Sequence, residues 1–72
     1  MARQKLKSKR ASFGHTQQDV ADYAGITRTY YTEIENGNRN CTLKIWLKIA
    51  ELLQIPESEL VSYIKDGMAK GA

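Results

Sequence analysis

Seventy-two residues, 42% of them hydrophobic and six aromatic, provide one small domain with its own core and leave no room for a second. Eleven Lys and Arg against eight Asp and Glu give a net charge of +3, and the excess lies in residues 1–40, which hold seven bases and four acids. No apolar run approaches the roughly 18 residues of a membrane span, and Cys41 is the only cysteine, which excludes an internal disulfide and a cysteine metal cluster.

No segment alternates with period 2, so strands are unsupported and an all-α chain is expected. The first helix runs from about Arg3 to Phe13, with Leu6, Arg10 and Phe13 on one face and Gly14 as its stop. Thr16 and Asp19 have the spacing of a capping box for the second helix, whose apolar stripe is Val20, Ala21 and Ala24 and which Gly25 ends. Thr27 is the next N-cap candidate. The third helix covers about Arg28 to Asn36. Tyr31, Ile34 and Glu35 share one side, Arg28, Thr29, Thr32 and Glu33 the other, and Gly37 follows. After a polar loop, Asn38 to Cys41, Thr42 caps a fourth helix from Leu43 to Leu53, with Leu43, Trp46, Ile49, Ala50 and Leu53 as its apolar positions. Pro56 suits N1 of a fifth helix striped by Leu60, Val61 and Ile64 and ended by Gly67. The domain is set at residues 1–67, with 68–72 a short tail.

Two short helices joined by a turn, with Gly25 at its start and Ile26 as an apolar anchor, have a helix-turn-helix outline. Arg28 is the strongest candidate for reading a base, because a guanidinium can bond guanine O6 and N7 together. A cation in a first turn opposes the helix dipole, so its place there needs a reason other than helix stability. Thr27 reads as a cap that also touches phosphate. Thr29 and Thr32 suit a thymine methyl or a phosphate, with simple exposure as the alternative. Gln17 lies in the first turn of the second helix, where free N–H groups favour an anion. Tyr30 either meets the DNA backbone or packs half-buried. The lysines near the N-terminus either contact phosphate or form a solvated basic tail. His15 and Cys41 lack an orienting group, an oxyanion site and room for a pocket, so no enzyme, metal or cofactor is expected.

Thr16-Gln17-Gln18-Asp19-Val20-Ala21, then Gly25-Ile26-Thr27-Arg28, then Ile34-Glu35-Asn36-Gly37 resemble the Cro/repressor (XRE-type) helix-turn-helix family in both residue type and spacing. The resemblance reaches from Lys7 to Leu60. It implies a compact five-helix bundle, the lambda-repressor-like DNA-binding fold, with the third helix in the major groove and the second across the backbone. Gln17 matches the position that contacts phosphate and braces the reading helix. Thr27, Arg28, Thr29 and Thr32 match base-reading positions or their neighbours, and Tyr30 and Glu33 the edge of that surface. Asn36, Arg39 and Asn40 match a second phosphate-contacting stretch. Arg10 and Glu35 match a structural pair between the first and third helices. The segment from Arg28 to Thr42 also resembles the small controller proteins of restriction–modification systems. His15 departs from a usually apolar position, and Cys41 replaces a frequent proline.

The combined expectation is a cytoplasmic, sequence-specific regulator that binds double-stranded DNA as a homodimer on a palindromic operator, with RNA polymerase a candidate further partner and no membrane involved. An antitoxin that also binds its own operator is the alternative. A core below about 70–80 residues rarely supplies more than about 3–5 kcal/mol, which favours a partner subunit, and Leu60, Val61, Tyr63 and Ile64 are the expected seam.

Overall fold

Hydroxyl caps begin three of the five helices. The computed structural model describes residues 2–66 as α1 (Gln4–Ser12), α2 (Gln17–Ala24), α3 (Arg28–Glu35), α4 (Leu43–Leu53) and α5 (Glu57–Lys65), with no strand among the described residues. The Thr16 hydroxyl accepts from the Asp19 N–H at 3.0 Å, and the Asp19 carboxylate accepts from the Thr16 N–H at 2.9 Å, which completes the capping box. That bond holds the Asp19 carboxyl below its ordinary range. Thr27 accepts from the Tyr30 N–H at 3.0 Å, and Thr42 from the Ile45 N–H at 3.3 Å. Between α2 and α3 the chain turns at Gly25, with φ +77°. A Cβ there would meet nothing within 4 Å, so the left-handed dihedral and not crowding selects glycine.

The α2–α3 hairpin rests on α4, α5 packs on α4, and α1 lies against α3. Their apolar faces close over one core of Leu6, Val20, Ala21, Tyr31, Ile34, Trp46, Ile49, Ala50, Leu53, Ile55, Leu60 and Tyr63. The whole measures 30 × 26 × 22 Å.

Four details differ from the sequence expectation. Pro56 is the N-cap of α5 and not its first residue; its ψ of 146° is extended, and its carbonyl accepts from the Glu59 N–H. Phe13 leaves the apolar face of α1 because the helix ends at Ser12, and it lies largely at the surface near the Lys9 ammonium. Leu43 is 63% exposed, because Trp46, Ile49, Ala50 and Leu53 already fill the inner face of α4. Arg3, expected to begin the first helix, is its N-cap residue and is 1% exposed. Gly67 and residues 68–72 lie outside the described residues.

Candidate nucleic-acid interface

Helix α3 has two chemically distinct sides. Tyr31, Ile34 and Glu35 are buried, while Arg28 and Thr29 are exposed and Thr32 and Glu33 lie between. A carboxylate 2% exposed on the inner side needs compensation, and Glu35 receives it at both oxygens. Its Oε2 accepts from Arg10 Nε at 2.7 Å and from the Tyr31 hydroxyl at 2.9 Å; its Oε1 accepts from Arg10 Nη2 at 3.1 Å and from Gln17 Nε2 at 2.9 Å. The expected Arg10–Glu35 pair is therefore present and bidentate. Arg10 also donates to the His15 carbonyl at 2.9 Å, which fixes the loop leading into α2.

These contacts set the ionisation of the cluster. Burial pushes the Glu35 carboxyl up, but the hydrogen bonds from Arg10, Gln17 and Tyr31 outweigh it and leave the group below the usual carboxylate range. The hydrogen bond to Glu35 raises Arg10. Burial, and then the Glu35 charge, push the Tyr31 phenol well above its ordinary value, so it remains a donor.

Gln17 is half-buried at the start of α2 and uses both ends of its amide. While Nε2 donates to Glu35, Oε1 accepts from the Thr32 hydroxyl at 2.9 Å. Gln17 thus links α2 to α3 at two points and draws Thr32 into the same lattice. Beyond it, Thr27, Arg28 and Thr29 are exposed at the N-terminal end of α3, and Arg28 forms no ion pair among the described residues. Tyr30 packs half-buried against the core. The Arg39 guanidinium lies 4.9 Å from the centre of the Tyr30 ring and donates to Glu33 Oε1 at 2.7 Å. Both partners of this second pair face solvent, so it contributes at most about 1 kcal/mol. Asn36, at the end of α3, is exposed.

Asn40 is also exposed, but its Oδ1 accepts from Arg3 Nη2. Arg3 also donates through Nη1 to the carbonyls of Ile34 and Arg39 and through Nε to the Ile64 carbonyl at 3.2 Å, and its guanidinium lies 5.2 Å from the Trp46 ring centre. Sequence reasoning missed this contact because no acid marks it: the acceptors are main-chain carbonyls, one amide and a ring face. Among the expected seam residues, Leu60 and Tyr63 are buried in the chain's own core, Ile64 is half-buried and Val61 is 56% exposed. Leu43, Leu47, Leu60, Val61 and Ile64 line one apolar depression beside Glu57. The half-buried Cys41 thiol is pushed up to about 11 by burial, the opposite of a nucleophile.

The helix-turn-helix family matches residues 6–60, a span that contains α2, the Gly25 turn, α3 and the whole Glu35 cluster. The chain belongs to the XRE-type helix-turn-helix family. It is 47% identical over 53 residues to an uncharacterized HTH-type transcriptional regulator, YqaF, of Bacillus subtilis (strain 168), covering 74% of this chain and 70% of that protein. It is 44% identical over 50 residues to the control protein C.MunI from Mycoplasma sp, covering 69% and 68%. An SPbeta prophage-derived HTH-type regulator of Bacillus subtilis (strain 168), YonR, is 38% identical over 52 residues, but these make up only 48% of its length. The XRE-type family is one of DNA-binding transcriptional regulators. No helix among the described residues is long and apolar enough to cross a membrane.

Proposed function

We propose that the protein is a sequence-specific transcriptional regulator that reads a palindromic operator as a homodimer, with α3 in the major groove. The observation that carries this reading is the contrast between the two sides of α3. The inner side is fixed by four hydrogen bonds to Glu35, and the outer side presents Arg28 and Thr29, which form no ion pair among the described residues. A rigid support beneath exposed donors lowers the ordering cost of docking. Arg28 reads a guanine, and Thr29 and Thr32 flank it. Thr27, Gln17, Asn36, Arg39 and Asn40 contact phosphates and fix register, with Tyr30 and Glu33 at the edge. The remaining Gln17 N–H and the start of α2 are available to an anion. The chain acts in the cytosol, where occupancy of one operator blocks RNA polymerase and occupancy of another contacts it.

Selection of bound duplexes from random DNA tests the reading. It should enrich an inverted repeat whose half-site centres lie about 34 Å, or 10–10.5 base pairs, apart. On that operator Arg28→Ala should cost about 1–3 kcal/mol and relax preference at one base pair per half-site. Failure to enrich any sequence would overturn specific recognition, and a loss that is uniform across single-base variants would remove Arg28 as the reader.

A further inference from the structure

We infer that Arg3 is a positioning residue for DNA contact: it holds the loop between α3 and α4 so that Arg39 is presented beside the outer side of α3, and it ties that loop to α5. This rests on the DNA-binding reading above. The side chain is buried, yet neither ion pair of the described residues includes it. Its charge is met by the Ile34 carbonyl at the C-terminal end of α3 and the Ile64 carbonyl at that of α5, where the helix dipoles favour a cation, and by the Arg39 carbonyl of the loop. The main chain repeats the contact, with the Arg3 N–H donating to the Glu35 carbonyl at 2.7 Å. Ile34, Arg39, Asn40 and Ile64 belong to three separate segments, and one planar fork reaches all of them.

Core filling alone does not account for this choice. A buried guanidinium carries a desolvation cost that an apolar side chain on Trp46 avoids. Only a fork with several donors can bridge those carbonyls, and lysine lacks that geometry. Arg39 is gripped from beneath through its carbonyl by Arg3, while its side chain reaches outward to Glu33 and Tyr30. Loosening the grip therefore disperses the Arg39 guanidinium.

Arg3→Lys, which keeps the charge and loses the fork, is the primary test, read well below its melting temperature. In the free protein, amide hydrogen exchange at residues 38–41 should accelerate while the amides of α2 and α3 stay protected. Operator affinity should fall about tenfold, and the slope of log K against log salt should become shallower by about 1 for each phosphate that is no longer neutralised. Arg39→Ala should then cost less in the Arg3→Lys background than in the wild type. A lower melting temperature with unchanged loop exchange, salt slope and Arg39→Ala cost would make Arg3 purely structural and overturn the inference. If Arg3→Lys does not fold, Asn40→Ala serves, read by hydrogen exchange in the free protein, because it removes a side-chain acceptor of Arg3 at an exposed position. Faster exchange at residues 38–41 is again expected, and unchanged exchange overturns the inference. A wild-type chain that binds no DNA overturns the DNA reading and this role with it; the exchange measurement, made without DNA, separates that failure from a failure of the staple.

Discussion

Glu35 depends on Arg10 more than on any other single partner, since Arg10 reaches both of its oxygens. Arg10→Met leaves a buried carboxylate with only Gln17 and Tyr31 as donors and should cost about 3 kcal/mol at neutral pH, the lower end of the range for an orphaned buried charge. The pH dependence has a definite sign. In the wild type, the folded Glu35 value is depressed, so its stabilisation is present above the unfolded value of about 4.3 and is lost as pH falls through the folded value. Without Arg10, burial dominates and raises the value, so the variant recovers stability on protonation. The gap in melting temperature should therefore be wide at pH 7 and narrow near pH 3.5; an equal gap at both would show that Glu35 is not the orphaned group. A second single-residue effect lies at the end of α4, where Gln54 adopts φ 56° and ψ 43°. That left-handed backbone costs a non-glycine residue about 1–2 kcal/mol. Gln54→Gly should raise the melting temperature by several degrees, about 4–8 °C per kcal/mol for a chain of this size; a fall would mean that the side chain has a role of its own. The Arg10–Glu35 pair was legible because the XRE-type spacing carries it. Arg3 was not, because a cation held by carbonyls leaves no acidic partner to search for in a sequence.

Helix starts and stops were legible for a local reason. A capping box, a threonine cap or a left-handed glycine is decided by residues within one turn, and α2, α3 and α4 begin where those signals place them. Faces were less legible, because burial depends on what stands opposite. Phe13 and Leu43 sit at helix ends, beyond the covering elements, and spacing alone cannot show that. The outer side of α3 was read correctly as exposed at Arg28 and Thr29, but the bond from Thr32 to Gln17 depends on the approach of α2 to α3. The α2 cap has a testable weight. Thr16→Ala removes the acceptor of the Asp19 N–H and should cost about 1 kcal/mol. Because α2 carries Gln17, operator affinity should fall as well; a melting curve and a binding isotherm that both match the wild type would show that the rest of the Glu35 lattice holds α2 unaided.

At the scale of the whole molecule, the question is what stands against the apolar depression on α4 and α5. Leu60 and Tyr63 already serve the core, so the surface that remains consists of Leu43, Leu47, Val61 and the edge of Ile64. These residues come from two helices, so the α5 stripe alone marks only part of this apolar surface. Val61 is the most informative position, because it is 56% exposed and its replacement disturbs little of the folded chain. If two copies meet there, Val61→Lys places a charge in the interface of each. The variant should melt close to the wild type at dilute concentration, sediment as a monomer at micromolar concentration, and bind the operator far more weakly. A dimer that closes two recognition helices over one operator also neutralises phosphates in both halves. If about 6–10 are neutralised, wild-type affinity should fall roughly 10³–10⁵-fold between 50 and 200 mM salt. The monomeric variant, holding one half-site, should show about half that slope. A wild-type chain that sediments as a monomer and saturates a palindrome as a single copy would remove both the seam and the doubled slope.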